Sequence, residues 1–136
     1  MKLRSQVLAL SILGTLVVTN LATASAEGAI HSSLYNVSSG FQSRSWYDFG
    51  YDYETTGVHS AGCSSQYGEG SHRFNLTLYR EISFWPDTNL GTRDATYCYY
   101  GDANSIWQNP GSGNYHVTVE TWDWQRVSAS TFNIWY

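Results

Sequence analysis

Basic residues are scarce in this chain of 136 residues, which has seven Lys and Arg against eleven Asp and Glu. The only lysine is Lys2, so residues 27–136 hold five arginines and eleven acids, a formal charge of −6. A nucleic-acid partner requires a basic surface, because contacts with phosphates supply most of the affinity. We therefore expect no nucleic-acid partner.

Long apolar runs are also missing from residues 27–136. A bilayer-spanning helix needs about 20 consecutive apolar residues, and no such run follows residue 26. The sequence therefore predicts no membrane span in this part of the chain.

Sequence signatures of catalysis and metal binding are absent as well. The chain has neither H-E-x-x-H nor G-x-S-x-G, and its four histidines stand at unrelated spacings. The segment from Asp87 to Asp94 offers oxygen ligands that a weak calcium site could use, but it lacks the closing acid of an EF-hand loop. An Asx-type turn capped by Asp87 and Asn89 is the alternative. We expect a protein that is not an enzyme and that binds no metal or cofactor.

The first 26 residues have the features of an export signal. Lys2 and Arg4 precede an apolar run at 7–18, and Ala24-Ser25-Ala26 is the small-x-small pattern that signal peptidase cleaves. Cleavage after Ala26 leaves 136 less 26, or 110, residues, which is the length of one domain. We therefore predict a signal peptide at 1–26 and a single secreted domain at 27–136.

The export signal and the absence of lysine from 27–136 are typical of a bacterial protein. The sequons at Asn36 and Asn75 would be glycosylation sites only in a eukaryotic source. Only two cysteines occur, Cys63 and Cys98, and an exported pair of this kind forms a disulfide by default.

Apolar residues alternate with polar ones along two segments, which is the pattern of half-buried β-strands. One face of the segment 74–84 carries Phe74, Leu76, Leu78, Ile82 and Phe84. Arg80 interrupts this face, so the segment contains either a bulge or a bend at which two strands meet.

The second segment begins at Tyr115 and places Val117 and Val119 on the inward face. With five shorter segments at 34–38, 43–49, 57–63, 96–100 and 130–136, this gives about seven strands separated by turns rich in Gly, Asn and Asp. We predict an all-β fold, a small antiparallel β-sandwich with one disulfide. Its core holds the inward residues of both segments.

Aromatic residues are abundant, with six Trp, eleven Tyr and five Phe, all after residue 26. They make up 20% of residues 27–136, and a core of this size buries about half of so many rings. Several rings must therefore contact solvent.

Strand phase predicts which rings do so. Trp122 shares the outward phase of His116 and Glu120, whereas Trp124 points the opposite way. Trp85 and Trp107 adjoin the turn-rich segments 86–91 and 109–114, and Tyr79 lies on the outward phase of its strand. We predict that Trp122, Trp85, Trp107 and Tyr79 are the binding residues.

Exposed indole and phenol rings beside polar groups have three interpretations. They can bind a polysaccharide or cell wall, since a flat ring covers the apolar side of a sugar. They can equally contact a protein partner, or stabilise the sheet by cross-strand pairing in a purely structural domain. We expect a non-catalytic saccharide or cell-wall binder, with a protein-directed or antibacterial effector as the alternative.

The aromatic ending Ser130-Thr131-Phe132-Asn133-Ile134-Trp135-Tyr136 resembles the C-termini of lactococcin-type bacteriocins, which are exported and rich in β-structure. The likeness covers those residues alone, and the bacteriocins are shorter and lack the cysteine pair. The resemblance implies an antibacterial role, which belongs to the second hypothesis.

Export makes a direct prediction about the mature protein. Because signal peptidase cuts after a small-x-small pattern, the exported form should begin at Glu27. Intact-mass measurement of protein secreted by a bacterial host tests this. Recovery of the uncleaved chain in the culture medium would contradict it.

Overall fold

A computed structural model of the chain describes residues 28–51, 55–66, 72–108, 110–122 and 124–136. The predicted signal peptide at 1–26 lies outside these ranges. The described residues form nine β-strands, one 3-10 turn and no α-helix. No helix within the described ranges is long and apolar enough to cross a bilayer.

The strands build two antiparallel sheets. In chain order they are β1 (Ala29–Ile30), β2 (Leu34–Val37), β3 (Trp46–Asp48), β4 (Thr55–Ser65), β5 (Asn75–Arg80), β6 (Thr88–Asp94), β7 (Asp102–Gln108), β8 (Gly113–Glu120) and β9 (Val127–Trp135). Sheet A has the order β1-β9-β4-β7, and β2 also pairs with β9. Sheet B has the order β3-β8-β5-β6. The two sheets enclose one core.

Alternation along the strands decides which side chains enter that core, because successive residues of a strand point to opposite faces. In β5 and β8, Leu76, Leu78, Val117 and Val119 are buried, with Phe74 just before β5. Sheet A contributes a second buried set: Ile30, Leu34, Val37, Val58, Ala103, Trp107, Val127, Ala129, Phe132 and Ile134. The predicted all-β sandwich and most of its core residues are confirmed.

The number of strands is nine rather than seven. Three strands were not predicted: the short β1, and β6 and β7, which the turn-like sequences around 88–94 and 102–108 form at the outer edges of sheets B and A. An edge strand pairs on one side only, so it tolerates polar residues and lacks the apolar alternation that marks a central strand. The predicted strand at 96–100 is wrong, because Thr96–Tyr99 is a 3-10 turn.

Ile82 and Phe84 were predicted in the core, and both are exposed. β5 ends at Arg80, whose guanidinium donates to the Ser112 carbonyl oxygen. The chain then turns, with the Trp85 amide donating to the Ile82 carbonyl and Phe84 at φ 67°. The charged residue therefore marks the end of the strand, and the apolar residues beyond it lie in a loop.

The predicted disulfide is present and links a strand of sheet A to the 3-10 turn. Cys63 in β4 bonds to Cys98 in the 3-10 turn, with their Cα atoms 5.3 Å apart and a sequence separation of 35. Cys98 is buried, and the turn that carries it connects β6 of sheet B with β7 of sheet A. The bond therefore fastens the connection between the sheets to sheet A.

Removal of this bond should destabilise the fold substantially. Closing a loop of this length constrains the unfolded chain by about 3–4 kcal/mol, so the double variant Cys63→Ala/Cys98→Ala should lose that much unfolding free energy in urea denaturation. Ser64→Ala, an exposed change on the same strand, is the control. An unchanged midpoint in the double variant would show that the bond does not stabilise the protein.

Candidate functional site

Two tryptophans stack on each other just past the end of β8. The rings of Trp122 and Trp124 have centroids 6.1 Å apart and planes inclined by only 7°. Trp122 is 37% exposed and Trp124 67%. The expectation that the two rings point in opposite directions is wrong, because β8 ends at Glu120 and strand alternation does not extend beyond it.

Two buried residues, Thr121 and Gln125, hold this pair in place. The Thr121 hydroxyl shares its one proton between the carbonyl oxygens of Trp122 and Gln125, both at 3.0 Å, and the backbone amide of Gln125 donates to the Trp122 carbonyl. The Gln125 side chain is buried: its Oε1 accepts from the Arg73 amide at 3.1 Å, and its Nε2 donates to the Tyr99 hydroxyl at 2.8 Å. Gln125 is therefore fixed to the backbone just before β5 and to the 3-10 turn.

Arg73 adds a charged group beside the rings. Its guanidinium carbon lies 5.2 Å from the centroid of the Trp122 ring, a cation–π contact. Its Nη2 lies 3.5 Å from Oε2 of Glu120, whose other oxygen accepts from the Thr77 hydroxyl. We call Trp122, Trp124 and Arg73 the tryptophan platform.

A second exposed aromatic group lies at the other end of sheet B. The Tyr47 and Phe49 rings meet edge to face at 4.8 Å, and Phe49 and Tyr51 stack at 5.6 Å. Tyr47 pairs with Asn114, whose carbonyl oxygen also accepts from the Glu81 amide, so the loop 81–87 lies alongside. Phe84 in that loop is fully exposed and Trp85 is 75% exposed. We call Tyr47, Phe49, Tyr51, Phe84 and Trp85 the aromatic end.

A buried histidine fixes both ends of the loop 81–87. His116, only 4% exposed, has its Nδ1 3.2 Å from Oε1 of Glu81 and 4.0 Å from Oδ2 of Asp87. The other Asp87 oxygen accepts from the Ile82 amide, and the Tyr79 ring stacks on the imidazole with centroids 5.4 Å apart. Phe84 and Trp85 are thus displayed from a loop whose two ends are anchored.

The four predicted binding residues do not form one site. Trp122 lies near the end of β5 that begins at Asn75, and Trp85 lies beyond the end at Arg80. Because a strand of six residues spans roughly 20 Å, the two rings are far apart. Tyr79 lies between them, half-buried against His116. Trp107 was expected at the surface, but it is 2% exposed in β7, and its Nε1 donates to the Gly91 carbonyl oxygen at 2.8 Å. Its ring is not available to a ligand.

Sequence reasoning missed Arg73 and the partnership of Trp124 with Trp122. The spacing Trp-x-Trp immediately after a strand is the signal that could have found the pair, once the strand's end at Glu120 is recognised. No local sequence pattern indicates a role for Arg73, because the pairing of β5 with β8 is what brings Glu120 and Trp122 close to it.

The possible calcium-binding segment from Asp87 to Asp94 does not bring its oxygen ligands together. Asp87 and Asp94 stand at the two ends of β6, which makes them roughly 20 Å apart. Asn89 accepts from the Gly91 amide at 2.7 Å, and Asp94 accepts from the Thr96 amide at 2.8 Å. These are Asx-type turns. Within the described part of the chain, no cluster of three or more His, Cys, Asp or Glu residues could hold a metal ion.

One polar cluster has the residue types of a nucleophilic site but not its order. The Ser45 hydroxyl donates to Oε1 of Glu81, and the same oxygen lies 3.2 Å from Nδ1 of His116. In a serine nucleophile the imidazole contacts the hydroxyl directly and the carboxylate lies behind it. Here the carboxylate lies between the two groups, so the arrangement stabilises the loop and does not activate Ser45.

Comparison with known proteins adds no relative. The chain matches no protein-family model, no curated protein and no solved structure. The function of the protein is therefore inferred from the tryptophan platform and the aromatic end.

Burial of Tyr99 behind the platform has a consequence for stability at high pH. Desolvation raises the pKa of Tyr99 to about 12, and the hydrogen bond from Gln125 only partly opposes this. Burial also raises the pKa of Tyr115. The unfolded chain releases these protons at lower pH than the folded one, so stability is retained below pH 10 and falls as the pH rises from 10 towards 12.

Denaturation of the wild type and of Tyr99→Phe between pH 8 and 12 tests this account. The variant should lose less stability across the upper part of that range, because it has no phenol to ionise. Tyr100→Phe, an exposed neighbour, is the control. Equal pH dependence of the wild type and Tyr99→Phe would be the contrary result.

Proposed function

We propose that the protein is a secreted, non-catalytic binding protein that holds a saccharide or cell-wall glycan on the tryptophan platform. The observation that carries the proposal is the exposed, near-parallel pair Trp122–Trp124, with the Trp122 carbonyl hydrogen-bonded to the backbone amide of buried Gln125. The nearby cysteine pair is bonded, which is compatible with an extracellular setting.

The chemistry of the platform suits a sugar. Indole faces pack against the apolar face of a pyranose ring, and polar groups at the margin hold its hydroxyls and set its orientation. Arg73 supplies N–H donors and Glu120 supplies acceptors directly beside Trp122. Because the rings are already stacked and the Trp122 carbonyl is hydrogen-bonded, binding orders few side chains, which favours affinity.

A protein-directed or antibacterial effector is the second candidate, and the aromatic end favours it. Tyr and Trp are the residues that most often dominate protein interfaces, and Phe84 and Trp85 stand exposed on an anchored loop. A phenylalanine at positive φ costs on the order of 1–3 kcal/mol. Because Phe84 at φ 67° also contacts no core, a contact with a partner is the role that this geometry favours.

Retention on insoluble glycans separates the two candidates. The purified protein should be held by at least one of bacterial cell wall, chitin or cellulose, and soluble fragments of the same glycan should release it. Trp124→Ala and Trp122→Ala should each weaken retention by roughly 1–3 kcal/mol, because a few central side chains carry most binding energy.

Two tryptophan variants serve as controls. Trp85→Ala at the aromatic end should bind glycan as the wild type does, and Trp107→Ala should lower stability by roughly 3–5 kcal/mol, as truncation of a buried ring does. Retention that Trp85→Ala abolishes and Trp124→Ala leaves intact would move the site to the aromatic end. No retention on any glycan, with binding to a competitor strain, would favour the effector.

A further inference from the structure

The sandwich is open along one side. Residues 40–43 run beside β8, with the Val119 amide donating to the Phe41 carbonyl and the Ser43 amide donating to the Val117 carbonyl, each at 2.8 Å. This segment continues the edge of sheet B, whereas β1 and β2 form the facing edge of sheet A. Between the two edges lies a cleft of about 310 Å³.

The floor of this cleft is apolar. It consists of the inward side chains of Ile30, Leu34, Phe132 and Ile134, each less than a tenth exposed, and Phe41 forms one wall. A volume of this size is at the lower end of the range for small-molecule sites, which are predominantly apolar with a few polar groups at fixed positions. The cleft therefore suits a narrow apolar group.

Arg44 gives the rim a positive charge, whereas the chain as a whole has a net negative charge. Arg44 and His31 line it together with three serines, and none of the ten described lining residues is acidic, although the chain has eleven acids. A cationic rim over an apolar floor is complementary to a molecule with an anionic head and an apolar tail.

Arg44 is distinguished by its free guanidinium from the other four arginines within the described ranges. Arg73 lies beside Glu120, Arg80 donates to Ser112, Arg93 to Ile106 and Arg126 to Asn36. The Arg44 side chain makes no hydrogen bond or ion pair with any residue that the structure describes, and its backbone carbonyl accepts from the Ser43 hydroxyl. Its five N–H donors are available to a carboxylate, which guanidinium binds in bidentate fashion.

We propose that this cleft binds an alkyl carboxylate, with the chain on the apolar floor and the carboxylate at Arg44. If a methylene group takes about the space of a water molecule, ~30 Å³, the cleft accommodates roughly ten carbons. This site is separate from the tryptophan platform and does not depend on the saccharide proposal.

Calorimetric titration of the purified protein with decanoate tests the proposal. Decanoate should bind saturably at one site per chain, and decanol, which has no charge, should bind more weakly. Arg44→Gln should weaken decanoate binding by roughly three- to tenfold, the effect of losing a partly exposed ion pair, and should leave decanol binding unchanged. Arg126→Gln, which removes an exposed arginine elsewhere, should bind decanoate as the wild type does.

A second variant tests the floor. Ser33 is exposed at the rim, and Ser33→Trp should fill the cleft and abolish the binding of both probes while the melting temperature stays close to that of the wild type. Absence of saturable decanoate binding, or an Arg44→Gln variant that binds decanoate unchanged, would overturn the proposal. Self-association of the wild type that Ser33→Trp abolishes would instead make the cleft an interface between copies of this chain, and would also overturn it.

Discussion

Burial of the inward faces of sheets A and B against each other is the constraint on which the rest of the structure depends. Leu76, Leu78, Val117 and Val119 are fully buried only because sheet A covers them with residues such as Val58 and Ile134. Burying each such side chain contributes roughly 1.5–3 kcal/mol. The two sheets are therefore held in one relative position. The packing also fixes the positions of the groups at their ends and edges.

The candidate sites follow from where this packing stops. At one end of β5 and β8 the turn carrying Gln125 displays Trp122 and Trp124, and at the other end the loop tied to His116 displays Phe84. Along the open edge the floor of the core itself is reached through the cleft at Arg44. Side chains held by such rigid surroundings lose little conformational entropy when a ligand binds. The ends and edges of sandwiches therefore suit ligand recognition.

Alternation in the sequence was sufficient to predict the all-β class and the core residues of β5 and β8, because a period of two is a local property. The Cys63–Cys98 bond followed separately from the presence of only two cysteines behind an export signal. It failed where geometry is set by distant pairing. Ile82 and Phe84 continue the apolar period, yet Arg80 is held by Ser112 and the strand ends there. Likewise, Trp107 adjoins a turn in the sequence, but pairing of β7 with β4 extends the strand past it and turns its ring inward.

The platform was only partly predictable for the same reason. Outward phase pointed to Trp122 although β8 ends two residues before it. Its contacts with Arg73 and Trp124 depend on the pairing of Asn75 with Glu120 and on the turn after β8. Arg73 and Glu120 are 47 positions apart in the sequence. A local sequence pattern does not report a contact between residues so far apart.

Indole N–H signals in a two-dimensional ¹H–¹⁵N spectrum test the central claim most directly, since each of the six tryptophans gives its own signal. On titration with a soluble oligosaccharide from the retaining glycan, the signals of Trp122 and Trp124 should shift together with one saturation curve. Those of the buried Trp46 and Trp107 should stay in place. Shifts confined to Trp85, or no shift at saturating glycan, would contradict the assignment of the tryptophan platform as the binding site.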